Sequence, residues 1–323
     1  MAPWQGLLNA GPDEQCQTIA GAGMKTEVCD LEARWGRRGA MMFAEAYGGP
    51  VAVLTAAGGR AVVALQGAQV LSWNADGFGE ALWLSPVAKL GTGKAVRGGI
   101  PICWPWFGPH PSDAAKPAHG IVRTVPWRVA GSAAAPDRAR LVLTFDATAV
   151  DPALWPHRAR AEIEITLSKA LTVSLTTVNL GPLPITLTEA LHTYFAVGDV
   201  TEVSVSGLAG RRYIDQLAAG HQPIETGAIR FTREVDRIYQ ETPDDVIVED
   251  TSLARRIRVA KSGSLSTVVW NPGREKAQRL GDMGEDGYRR MVCIETANAG
   301  ADVVTLAPGA RHRLVAEISL ARL

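Results

Sequence analysis

The sequence predicts an all-β protein made of antiparallel strands, and three observations carry that prediction. From Val51 onward, short β-type runs return about every 8 to 15 residues with Gly, Pro, Asn or Asp between them, the rhythm of a sandwich or barrel. Several of these runs alternate apolar and polar side chains with a period of two. No stretch repeats apolar positions at helical spacing over more than about two turns, and the strand–helix–strand rhythm of a parallel sheet is missing.

Taken in chain order, residues 1 to 40 hold Gly, Pro and scattered charge without strand alternation, so they read as a partly irregular, covering N-terminal segment. Residues 41 to 323 read as one β domain. Within it, Ala161, Ile163, Ile165 and Leu167 alternate with Glu162, Glu164, Thr166 and Ser168, which turns one face to a core and one to water. Leu171, Val173 and Leu175 alternate in the same way, as do Val203 with Val205 and Ala316 with Ile318 and Leu320. The best helix candidates are short pieces near Asp151 to Arg158 and Arg274 to Leu280. The Gly-Pro-rich stretch GPHPSDAAKPA, 108–118, reads as a surface connection or a rim.

Composition narrows the function classes. The chain of 323 residues is 46% hydrophobic and 20% charged, which is enough apolar material for a sizeable core. Lys plus Arg equals Asp plus Glu at 33 each, so no summed field attracts nucleic acid or an anionic membrane, and any anion recognition has to be local. The apolar runs end well before the ~20 residues of a bilayer span. The first 24 residues carry no Lys or Arg, so the charged start of a secretory leader is missing and a cytoplasmic location is expected. Cys16, Cys29, Cys103 and Cys293 form no C-x-x-C pair, so neither a disulfide framework nor a structural zinc site is expected, and the thiols read as reduced packing residues. Neither G-x-G-x-x-G nor a P-loop occurs, which argues against nucleotide chemistry.

Three segments carry more than patterning. In KAVRGGIPICWPWFG, 94–108, followed by HGIVRTVPW, 119–127, arginines beside Gly-rich turns can present planar guanidinium groups to an oxyanion. A lone R-G-G is otherwise an exposed Arg on a tight turn, and the aromatic residues around it are core candidates. In TEALHTYFAVGDV, 188–200, His192 sits among apolar neighbours, where a histidine is usually a packed turn residue but can also pass a proton at neutral pH. In YRRMVCIETANAG, 288–300, Glu295 ends an apolar run, where an unpaired carboxylate costs several kcal/mol. It is therefore a buried ion pair or a base tuned by burial. One His with one Glu points to acid/base chemistry without a metal, and there is no G-x-S-x-G for a serine hydrolase. Asp236 with Glu295 would also serve as the carboxylate pair of a glycosidase, so spacing alone leaves that reading open.

The motifs VRGGIPICWPWFG, HGIVR, EALHTYF, FTREVDRIY and CIETAN, in this order across about residues 97 to 298, resemble the hexose-6-phosphate mutarotase branch of the aldose 1-epimerase superfamily. The resemblance implies a galactose-mutarotase-like antiparallel β-supersandwich with few short helices. It implies a cofactor-independent, metal-independent interconversion of the anomers of a hexose 6-phosphate by ring opening and reclosure. His192 then corresponds to the catalytic acid and Glu295 to the base. Arg97 and Arg123 correspond to sugar-phosphate ligands, and Asp236 and His119 to further substrate contacts. Lys94 and Arg237 are added as phosphate contacts from adjacency alone. Ala118 stands where a Gln commonly precedes the His-Gly pair, which bears on the choice of hexose. The implied partner is a small sugar phosphate met by a monomer. The rival readings are a non-catalytic carbohydrate-binding β-sandwich and a mutarotase for unphosphorylated aldoses.

Overall fold

A computed structural model describes residues 22–218 and 221–323 of the chain. Every named strand pair in it is antiparallel. A nine-stranded sheet runs in the order Ile229–Arg230, Val203–Ser206, Val246–Asp250, Arg255–Ser262, Arg311–Arg322, Leu171–Asn179, Ala159–Leu167, Arg138–Asp146, Arg128–Ala135. A seven-stranded sheet runs Tyr213–Asp215, Val235–Gln240, Ser266–Asn271, Met291–Asn298, Glu189–Leu191, Ile102–Cys103, with Tyr194–Ala196 also paired to Met291–Asn298. A five-stranded meander covers Met41 to Glu80, and Ile185–Leu187 pairs with Val304–Leu306. This is the antiparallel supersandwich that the resemblance implied.

The alternating strands place their apolar face in the core. In Ala159–Leu167 the residues Ala161, Ile163, Ile165 and Leu167 have no exposure, while Arg160 is exposed and Glu162, Glu164 and Thr166 are half-buried. These side chains share one apolar cluster with Leu191, Phe195, Val269, Val292 and Ile294 of the seven-stranded sheet, so the two large sheets bury their facing sides together. Burying each such aliphatic side chain fully is worth about 1.5–3 kcal/mol, taken against an extended unfolded chain as an upper estimate.

Strand Met291–Asn298 is buried at every position. Val292 and Ile294 point into the main core, whereas Met291, Cys293 and Ala297 belong to a second cluster with Trp83, Tyr194, Val268 and Trp270 on the other side of the sheet. Glu295 shares the face of Cys293 and Ala297, because strand side chains alternate. The seven-stranded sheet therefore offers its outer face as a platform.

Four expectations need correction or placement. The segment before residue 41 contains a helix, Ala22–Trp35, whose Val28, Leu31 and Trp35 pack on the core and whose Glu32 accepts a hydrogen bond from the Phe43 N–H at 2.7 Å. The part of that segment covering residues 1 to 21 lies outside the described residues. The piece Asp151 to Arg158 is a turn closed by the Leu154 and Trp155 amides onto the Asp151 carbonyl, since Pro156 cannot donate the next amide that a helix needs. By contrast, Gly273–Leu280 is helical and overlaps the second expected piece. Cys103 and Cys293 are free and buried, but Cys29 is disulfide-bonded, so the expectation of four reduced thiols fails for it. Missing C-x-x-C spacing speaks against paired-cysteine motifs and does not exclude one isolated bridge. No described helix is long and apolar enough to cross a membrane.

Candidate active site

The platform holds a cavity of about 320 Å³. Its floor is set by a change of pairing between strands. Leu191 pairs with Thr296, and Tyr194 pairs with Cys293, both on strand Met291–Asn298. His192 lies in the step between those pairings, and its N–H is held by the Pro101 carbonyl at 3.0 Å. Its imidazole stacks on Tyr194 with centroids 4.7 Å apart and meets Trp270 and His119 edge-on. Its Nε2 lies 3.4 Å from Oε1 of Glu295, the register partner of Val268.

Burial dominates the electrostatics of this pair. It pushes the Glu295 carboxyl well above its ordinary value, with Asp236 adding to the rise and Arg123 opposing it. It pushes the His192 imidazole well below its ordinary value, helped by His119, Arg123 and Arg97. Both shifts favour uncharged groups, so the couple holds a single proton over a wide pH range. Oε2 of Glu295 and Nδ1 of His192 find no hydrogen-bond partner within the protein.

Two guanidinium groups flank the cavity. Arg97 follows the meander, and the turn after it requires glycine: Gly98 and Gly99 have φ of +111° and +63°, and a Cβ on Gly99 would lie 2.1 Å from the Val70 carbonyl oxygen. Nε of Arg97 donates to both carboxylate oxygens of Asp282 at 3.1 Å, and an Nη1–H donates to the Tyr194 hydroxyl at 3.2 Å. Arg123 donates from Nη2 to the Ala118 carbonyl at 2.6 Å. His119, at φ +63°, accepts from the Gly108 N–H through Nδ1 at 3.3 Å. Its own proton therefore sits on Nε2. Burial, then Arg123 and Arg97, push His119 down to about 3, so it is a neutral group at physiological pH.

Strand Val235–Gln240 contributes Asp236 to the cavity, and the helix Gly273–Leu280 contributes Lys276. The Lys276 Nζ lies 2.8 Å from Glu234 Oε1 and 3.4 Å from Asp236 Oδ2. Burial raises the Asp236 carboxyl, and Lys276 opposes the rise.

The structure thus brings His192, Glu295, Arg97, Arg123, His119 and Asp236 to one cavity. It does not bring Lys94 or Arg237 there. Lys94 lines a neighbouring groove of about 240 Å³ with Lys89, which shares Arg97 with the cavity. Arg237 follows Asp236 in a strand, so it turns to the opposite face, where it donates to Glu225 at 2.9 Å and to the Tyr239 hydroxyl at 3.3 Å and lies over the Tyr213 ring. Sequence reasoning did not single out Lys276, Trp270 or Asp282. Lys276 lies inside the expected helix Arg274 to Leu280, but a charged helix residue reads as a solvated one until a strand partner is known.

The sequence profile of the family Aldose 1-epimerase matches residues 50–319. A “Putative glucose-6-phosphate 1-epimerase” of Escherichia coli (strain K12) is 39% identical over 243 residues, which cover 74% of this chain and 80% of that one. A protein of the same description from Cenchrus ciliaris is 35% identical over 263 residues, covering 78% of this chain and 79% of that one. Among solved structures, “a putative mutarotase (YeaD)” from Salmonella typhimurium superposes with a TM-score of 0.82 at 32% identity, over 88% of this chain and 94% of that one. “A putative aldose 1-epimerase” from Escherichia coli K12 shares the fold at 14% identity, with a TM-score of 0.66 over 84% of this chain and 99% of that one.

Proposed function

The chain belongs to the aldose 1-epimerase family, and from that premise we propose that it interconverts the α and β anomers of a hexose 6-phosphate, with glucose 6-phosphate as the best candidate. The observation that carries the reading is the buried His192–Glu295 contact of 3.4 Å on the floor of a cavity flanked by Arg97 and Arg123. The relatives named for glucose 6-phosphate support the phosphorylated substrate.

The reaction needs one group to accept a proton and one to give it. Glu295 takes the proton of the anomeric hydroxyl while His192 protonates the ring oxygen. The bond between C1 and the ring oxygen breaks, the C1 carbonyl forms, and rotation about C1–C2 exposes its other face. Reclosure returns both protons, so the cycle consumes none. The working state, a carboxylate beside an imidazolium, has the same net charge as the resting neutral pair. It is reached by moving the shared proton across the gap without drawing on solvent, and Arg123 favours the carboxylate. Asp236, held by Lys276, and His119 Nε2 are placed to bind sugar hydroxyls, and Trp270 and Phe107 to pack on the ring. No cofactor is required by these steps. A cytoplasmic monomer acting on a small sugar phosphate, with no nucleic-acid or membrane partner, completes the proposal.

The experiment is exchange NMR or polarimetry of freshly dissolved α-glucose 6-phosphate. Acceleration over buffer is expected, and its absence would return the chain to the reading of a sugar-binding sandwich. A mutarotase for unphosphorylated aldoses has one observation in its favour, the engagement of Arg97 by Asp282. Comparing glucose 6-phosphate with glucose separates the two.

A further inference from the structure

We propose that the floor of the cavity is also a binding site for a thiophilic divalent cation of the zinc type, held by His192, Cys293 and Glu295, and that its occupancy switches the enzyme off. The ligand atoms of these three residues lie within 4.8 Å of one another, and all three residues are buried. The topology explains the convergence. Cys293 and Glu295 are two apart on one strand and share its outer face, and His192 comes from the segment that pairs with that strand immediately before Tyr194 meets Cys293.

Zinc takes nitrogen and oxygen ligands at about 2.0–2.2 Å and thiolate at about 2.3 Å in a tetrahedron, which sets neighbouring ligand atoms roughly 3.3–3.7 Å apart. The 3.4 Å between His192 Nε2 and Glu295 Oε1 already matches one edge of such a tetrahedron. Glu295 Oε2 is buried with no hydrogen-bond partner in the protein, so the carboxylate has unused ligating capacity. Thiolate and carboxylate together balance the charge of a dication. Of the two guanidinium groups that would repel it, Arg97 is offset by Asp282, and Arg123 is turned onto the Ala118 carbonyl. A thiolate ligand selects zinc, cobalt or cadmium over magnesium and calcium. His192 and Glu295 line the cavity, so a fourth ligand would reach the metal from it, as in zinc sites with three protein ligands.

Binding displaces the Cys293 thiol proton and the proton shared by His192 and Glu295 into solvent, and metal–sulfur, metal–nitrogen and metal–oxygen bonds form in their place. No electrons are exchanged. The cation then occupies the place of the proton on which ring opening depends. Metal uptake does not depend on the anomerase reading, whereas the inhibition rests on it.

The test titrates the purified full chain with Co²⁺ and follows absorption and anomer exchange together. One equivalent should raise a thiolate-to-cobalt charge-transfer band in the near ultraviolet, Zn²⁺ should bleach it, exchange of α-glucose 6-phosphate should stop as the site fills, and a chelator should restore it. Cys293→Ala should abolish the band and raise the metal concentration for half-inhibition by about tenfold or more. Cys103→Ser should keep the band. If Cys293→Ala does not fold, Cys293→Ser must also lose the band, because a hydroxyl gives no such transition. A wild type without the band, a band that survives loss of Cys293, or one that follows Cys103 overturns the site. A band in a protein that never accelerates anomer exchange leaves the metal site standing and overturns the anomerase reading.

Discussion

Burial of His192 against Glu295 fixes how activity responds to pH. The couple works with one proton. It gains a second only when His192, pushed below 6.5 by burial, is protonated, and it loses the last only when Glu295, pushed above 4.5, ionises. The plateau of kcat/KM for glucose 6-phosphate should therefore extend to the acid side of the ordinary imidazole value. An acid limb centred at that value and seen also with glucose, which has no phosphate titrating near ~6, would show that burial does not hold the imidazole neutral. His192→Ala and Glu295→Gln should each lower kcat by ~10²-fold or more, and the double variant should lose far less than the product, as for groups acting as a unit. A folded single variant with near wild-type turnover would remove that residue from the mechanism. Arg97→Ala and Arg123→Ala should each reduce the kcat/KM ratio of glucose 6-phosphate to glucose by the equivalent of about 2–4 kcal/mol, the scale for removing a charged hydrogen-bond donor from a bound dianion. Arg123 gives the cleaner reading, because it donates to the Ala118 carbonyl, whereas removing Arg97 also strips Asp282 of its cation. A constant ratio in both variants would place the phosphate elsewhere. The identities of His192 and Glu295 were legible through their motifs. Their contact was not, because a separation of about a hundred residues says nothing about which strands pair.

Strands with one wet face were legible and strands without one were not. Ala159–Leu167 alternates in sequence and in burial, whereas Met291–Asn298 is covered on both sides and has no alternation to read. The helix Ala22–Trp35 was not legible because its apolar contacts, Val28, Leu31 and Trp35, are few and sit among charges. The short strand Glu189–Leu191 carries a further consequence of burial. Burial pushes the Glu189 carboxyl up to about 8, although the Thr177 hydroxyl donates to it at 2.9 Å and opposes the rise. Below pH 4.5 both folded and unfolded chains keep this proton. As pH rises toward 8 the unfolded chain releases it and the folded chain does not, so the stabilisation falls by up to ~1.4 kcal/mol per pH unit. Glu189→Gln, which can still accept from Thr177, should shift the slope of Tm against pH between about pH 5 and 8 in the positive direction relative to wild type. Glu295 leaves a residual slope of the same sign, and His119 and His192, held neutral by burial, leave one of the opposite sign below the ordinary imidazole value. Identical slopes in wild type and variant would mean that Glu189 ionises in the folded protein.

At the scale of the whole molecule, the balance of 33 basic and 33 acidic residues leaves recognition of an anion to the cavity. Steered encounter multiplies association rates by 10–10³ and collapses with salt. The kcat/KM for glucose 6-phosphate should therefore fall by less than about tenfold between low ionic strength and 0.15 M salt, and a steeper fall would reveal a long-range field that the composition does not predict. The sequence by itself determined the all-β class, because the period of apolar residues reports directly which side of a strand is dry. It also determined the chemistry-bearing residue types, since a carboxylate in an apolar run needs a physical reason wherever the run goes. Only the tertiary structure decided that Lys276 reaches Asp236 while Arg237 turns away, that Lys94 belongs to another groove, and that Cys293 lies beside the acid/base pair. Those outcomes depend on strand register and on the outer face of one sheet. Register is set by long-range pairing across the whole chain, and no local pattern of residues encodes it.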